Sequence, residues 1–87
     1  METMNIRVLF FARLRDQVGR SSLVLELPAA VKNLADLRQH LMTLDKAMAT
    51  ALAADDISMA LNQQQCKPEE PVQAGDEVAF FPPVTGG

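Results

Sequence analysis

The stretch Asn5 to Phe11 constrains the fold most. Under the two-residue period of a β-strand, Ile6, Val8 and Phe10 fall on one face. Arg7, Leu9 and Phe11 fall on the other. Both faces are mostly apolar, which marks a central strand rather than an edge. The rest of the sheet must be supplied by later segments.

Those segments can be read in order. Ala12 to Val18 fits a short helical turn, stopped by Gly19 as a C-cap. Ser22 to Leu27 reads as a second strand ended by Pro28, so strands one and two form a hairpin across Gly19-Arg20-Ser21. The clearest helix runs from Leu34 to Leu44, with Asn33 as N-cap and Asp36 three residues on. Leu34, Leu37, Leu41 and Leu44 form its apolar stripe. A weaker helix follows from Lys46 to Ala54, capped by Asp45. Ile57 to Leu61 alternates as a strand, Asn62-Gln63 turns the chain, and Gln64 to Cys66 forms a short edge strand. Glu77 to Phe81 is the last strand. Strands, a crossover helix, then more strands predict an α+β fold. A right-handed crossover lets the first and last strands lie parallel in the middle of a mixed sheet, the β-grasp or ubiquitin-like arrangement.

Size and composition narrow the function. At 87 residues the chain is one domain, with residues 1–81 as its body and 82–87 as an extended tail. The net charge is −3 and the basic residues are scattered, which argues against a nucleic-acid partner. No apolar run approaches a membrane span, and Met1-Glu2-Thr3-Met4 does not open a secretory signal. A cytoplasmic protein is expected. One cysteine and one histidine provide neither a disulfide framework nor a zinc site, so no bound metal is expected.

The tail differs from everything before it. Pro82 and Pro83 end sheet pairing and stiffen the exit. Val84, Thr85, Gly86 and Gly87 follow with no charged side chain. Such a segment can thread a narrow channel and present a bare carboxylate to another protein's active site. A frayed terminus that happens to end in two glycines is the plainer reading.

The stretch from Gly75 to Gly87 resembles the C-terminus of the molybdopterin synthase small subunits, a ubiquitin-like sulfur-carrier family. Val8-Leu9-Phe10-Phe11-Ala12 followed by Gly19, the helix start Leu37-Arg38-Gln39-His40-Leu41, and Leu61-Asn62-Gln63 are similar too. The resemblance implies that an E1-like adenylyltransferase uses ATP to adenylate Gly87, which then becomes a thiocarboxylate, a 1-thioglycine. It further implies docking onto a large subunit, two small with two large, where sulfur passes to a cyclic pyranopterin to build the dithiolene. No cofactor is implied on this chain, and the acids and bases of the reaction fall to the large subunit. A ubiquitin-like modifier, a carrier for thiazole synthesis and a β-grasp interaction module without tail chemistry are the competing readings.

Within the body, Phe11 and Phe81 share the face opposite Phe10 and Phe80 if the first and last strands are neighbours. There they would form an aromatic docking patch. Cys66 is read as a packing or partly exposed residue, since a nucleophilic thiolate needs a base or an electropositive setting. His40 is placed at the border of the leucine stripe facing solvent. Asp55-Asp56 is read as helping to end a helix, and Asp76-Glu77 as shaping a turn.

Overall fold

The computed structural model describes residues 4–83. Among the described residues, five strands form one mixed sheet in the order β2-β1-β5-β3-β4. These are β1 Asn5–Phe10, β2 Ser22–Glu26, β3 Ser58–Leu61, β4 Gln64–Cys66 and β5 Glu77–Phe81. β1 and β5 run parallel at the centre, and every other pairing is antiparallel. The expected β-grasp arrangement is therefore present, with β1 interior as its two apolar faces require.

Among the described residues, three helices lie between strands: α1 Arg13–Val18, α2 Leu34–Met42 and α3 Lys46–Leu52. They cover one face of the sheet. Leu14, Leu34, Leu37, Leu41, Met48 and Leu52 pack with Ile6, Val8, Phe10, Met59, Val78 and Phe80 in one buried cluster. Phe10 and Phe80 stack at its centre, ring centroids 6.2 Å apart and planes 18° from parallel.

Helix ends follow local chemistry. Asn33 Oδ1 accepts from the Asp36 N–H at 2.8 Å, and Asp36 Oδ2 accepts in return from the Lys32 N–H at 3.0 Å. The loop after β4 finishes this end: the Leu34 and Ala35 N–H groups donate to the carbonyls of Glu70 and Pro68. Asp45 caps α3 by accepting from the Met48 N–H. Arg38 reaches across from α2 to donate to the Leu52 and Ala54 carbonyls at 2.8 and 2.6 Å, satisfying the far end of α3. Gly19 closes α1 with φ 87°.

Several boundaries depart from the sequence reading. By one or two residues, α1 begins at Arg13 rather than Ala12, β2 ends at Glu26 rather than Leu27, α3 ends at Leu52 rather than Ala54, and β3 begins at Ser58 rather than Ile57. α2 stops at Met42 rather than Leu44, because Thr43 caps it and Asp45 already begins the next helix. Leu44 consequently leaves the stripe and is 47% exposed. β1 stops at Phe10, because the chain turns at Ala12 with φ 55°.

Candidate docking face and the exit of the tail

The uncovered face of the sheet carries the site. Register aligns Leu9 with Ala79, Ala79 with Ala60, and Ala60 with Gln65. Leu9 and the two alanines form the floor of a groove of about 480 Å³. Small side chains in the middle of the row make the floor concave. Phe11 and Phe81 stand at one end, and Gln63, Gln65 and Glu77 line the polar side. Phe11 is 48% exposed and Phe81 half-buried. The sheet thus brings Phe11 and Phe81 to one groove, on the face opposite Phe10 and Phe80.

The same strand builds the groove and leads directly to Pro82 and Pro83. β5 ends at Phe81, and Pro82 and Pro83 follow in neither strand nor helix. Proline cannot donate to a ladder, so the chain is freed from the sheet there. Val84, Thr85, Gly86 and Gly87, which the sequence reading singles out, lie outside the described residues.

The polar end of the groove is fixed by hydrogen bonds that sequence reasoning did not anticipate. Asn62 Oδ1 accepts from the Glu77 N–H at 2.9 Å, and Asn62 Nδ2 donates to Asp76 Oδ1 at 3.1 Å. Asp76 Oδ2 accepts from the Gln73 N–H at 2.8 Å. Asp76 therefore shapes a turn, as read, and also ties the β3–β4 turn to the start of β5. Outside the groove, Arg13 of α1 pairs with Asp56, in the segment before β3, at 2.7 Å. That hydrogen bond holds the Asp56 carboxyl below its usual range.

Cys66 packs against the core from β4, on the covered side with its register partner Met59. Burial, and secondarily the Glu70 charge, push its thiol above the ordinary value. A raised thiol is a protonated one, the opposite of an activated nucleophile. His40 is half-buried on α2. Among the described residues, no group of His, Cys, Asp or Glu is arranged to hold a metal ion. Also among them, no helix is long and apolar enough to cross a membrane.

Sequence reasoning missed Leu9, Ala60, Ala79, Gln63 and Gln65 as groove residues. The period-two pattern puts Leu9 and Ala79 beside Phe11 and Phe81. Placing Ala60 and Gln65 also requires the register of β3 and β4.

The ThiS family matches residues 8–87. The chain is 43% identical over 82 residues to the molybdopterin synthase sulfur carrier subunit of Escherichia coli (strain K12), across 94% of this chain and 99% of that protein. It is 40% identical to the subunit of the same name from Haemophilus influenzae, with the same coverage. In structure it is similar to SAMP1 from Haloferax volcanii, with a TM-score of 0.74 at 25% identity, across 95% of this chain and 99% of that one. A chain from the complex of subunits 1 and 2 of the Helicobacter pylori molybdopterin-converting factor shares the fold. Its TM-score is 0.67 at 24% identity, across 97% of this chain and all of that one.

Proposed function

The chain belongs to the ThiS family and, within it, to the molybdopterin synthase sulfur carrier subunits, and we propose that Gly87 is the group that carries the sulfur. The observation that supports this beyond family membership is the apolar groove beside the point where β5 releases the tail. A partner seated in the groove is held next to the base of a tail that can reach its active site.

The chemistry follows from what a carboxylate needs. Free carboxylate is a poor electrophile. Attack of the Gly87 carboxylate on the α-phosphorus of ATP, in an E1-like adenylyltransferase, forms an acyl adenylate and releases pyrophosphate. A sulfide equivalent from a donor then attacks the acyl carbon and expels AMP, leaving a thiocarboxylate. Docked on the molybdopterin synthase large subunit, the thiocarboxylate sulfur attacks an oxygen-bearing carbon of the cyclic pyranopterin, and the C–O bond there breaks as the oxygen leaves with a proton supplied by the large subunit. Hydrolysis of the resulting acyl–sulfur bond leaves sulfur on the pterin and returns the Gly87 carboxylate. Two deliveries complete the dithiolene. The large subunit supplies the acids and bases, in a cytoplasmic assembly of two small and two large subunits. This chain supplies the docking face, with Phe11 and Phe81 as anchors, and a tail of Pro82, Pro83, Val84, Thr85, Gly86 and Gly87. Gly86 gives steric access to the terminal carboxyl.

SAMP1 is a small archaeal modifier protein by name, and a modifier would use the same adenylated tail. Identity of 43% to a carrier subunit against 25% to SAMP1 favours the carrier. The acceptor separates the two readings: sulfur for a carrier, a lysine amine for a modifier.

Intact mass after incubation with ATP, a sulfur donor and the E1-like enzyme tests the carrier step. Replacement of one oxygen by one sulfur is expected. Deleting Gly87, or adding one residue after it, is expected to abolish sulfur donation while docking persists. Either change moves the carboxyl by about 3.3 Å, and reacting atoms must approach within about 3–3.5 Å. Normal pterin conversion by either variant sinks the mechanism.

A further inference from the structure

Positive-φ backbone clusters around the docking groove. Among the described residues, the non-glycine positions with positive φ are Ala12, Asn62 and Gln63. Ala12 directly follows Phe11 at the aromatic end, and Gln63 lines the polar side. Asn62 tolerates left-handed backbone, and its side chain is used there on Asp76 and the Glu77 N–H. Ala12 is the anomaly. Its φ of 55° and ψ of −133° are close to the mirror image of extended polyproline backbone. Glycine enters that region freely, whereas an L-residue does so only against its own Cβ.

The structure around Ala12 shows what the turn accomplishes. The Phe11 N–H donates to the Phe80 carbonyl at 3.2 Å, so the backbone is still tied to β5 one residue past the end of β1. The Leu14 N–H donates to the Phe11 carbonyl at 3.1 Å, so α1 begins immediately afterwards. Leu14 must enter the core, where it is fully buried, while Phe11 must stay on the opposite face. Ala12 itself is exposed, so packing of its methyl group does not select alanine there.

We propose that Ala12 is a positioning residue: its positive-φ turn presents Phe11 to the partner, and its Cβ keeps that turn from sampling the many backbone states open to glycine. Strain held at a functional edge is a form of pre-organisation. The proposal rests on the docking reading above, in which Phe11 anchors the large subunit.

The test uses three versions of the full chain besides wild type: Ala12→Gly, a semisynthetic chain with D-alanine in place of Ala12, and Phe11→Ala. Each is measured for thermal unfolding and for calorimetric affinity to the cognate molybdopterin synthase large subunit. Glycine relieves the strain and is expected to raise the unfolding midpoint by about 4–8 °C. It also unlocks the turn, and affinity is expected to fall by about three- to tenfold. D-alanine prefers the observed angles and remains stiff, so it is expected to raise the midpoint while keeping wild-type affinity. A stabilised protein that binds worse is a result that a purely structural role does not give. Wild-type affinity in Ala12→Gly, a lowered midpoint in that variant, or equal weakening by D-alanine each overturns the proposal. Unchanged affinity in Phe11→Ala removes the docking reading itself, and the positioning role with it.

Discussion

Phe10 and Phe11 are adjacent in the chain, as are Phe80 and Phe81, yet each pair divides between two environments. Phe10 and Phe80 are 1% and 0% exposed beneath the helices. Phe11 is 48% exposed and Phe81 half-buried on the open face. Residue type does not distinguish them; strand alternation and helix coverage do. The faces also differ in shape. The covered face carries Ile6, Val8, Met59, Val78 and the stacked rings, a bulky surface that the helices complete. The open face sets Ala60 and Ala79 between larger groups, leaving a hollow. One face is filled by its own chain, and the other is left open, as the proposed docking role requires.

Truncating one phenylalanine from each face is the strongest attempt to break this comparison. Phe80→Ala is expected to lose about 3–5 kcal/mol of folding free energy, a large part of the roughly 5–15 kcal/mol available to a domain. Urea unfolding reads it. Phe81→Ala is expected to lose about 2 kcal/mol or more of large-subunit binding and less than that in folding. An equal or greater folding loss would place Phe81 in the core and erase the distinction.

Adding bulk sharpens the comparison with a smaller effect. Ala51 is 1% exposed in α3, so Ala51→Leu overpacks the covered side and is expected to cost about 1–3 kcal/mol of stability. Ala79→Leu fills the floor of the groove instead. Its folding free energy is expected to stay within about 0.5 kcal/mol of wild type. Its affinity for the large subunit is expected to fall about tenfold, near 1.4 kcal/mol. Unimpaired docking by a folded Ala79→Leu protein would show that the partner does not enter the hollow.

Much of this division was legible in the sequence. Period-two alternation separated Phe10 from Phe11, and the strand–helix–strand order placed β1 beside β5. The caps Asn33 and Asp45 and the stop at Gly19 follow from side-chain chemistry within a few residues. What escaped depends on distant partners. Arg38 looks like an ordinary helix-surface cation until α3 brings the Leu52 and Ala54 carbonyls to it. Pro68 to Pro71 reads as a turn until its carbonyls are found on the first N–H groups of α2. Leu44 fits the stripe by spacing alone, and only the Thr43 cap removes it. Ala12 carries no sequence signal for positive φ, because the conformation is imposed by the strand before it and the helix after it.

Cys66 provides the smallest expected effect and bears on which face does chemistry. It lies on the covered side, half-buried, with its thiol pushed above the ordinary value near 9.0 by burial and by Glu70. Because the folded state holds the proton more tightly than the unfolded chain, this contribution to stability is complete below the ordinary thiol pKa. It is lost as pH rises through that value towards the higher folded one. Cys66→Ser is therefore expected to lower stability by less than about 1 kcal/mol at neutral pH. It is also expected to flatten the decline of wild type at alkaline pH. Thiocarboxylate formation and pterin conversion are expected to remain near wild type, since the proposed mechanism carries the sulfur on Gly87 and requires no thiolate on the covered side. Unfolding midpoints at neutral and alkaline pH, with intact mass and conversion on the same samples, check both halves. A folded Cys66→Ser protein that forms no thiocarboxylate would move the sulfur chemistry into the body of this chain and reverse the division between its two faces.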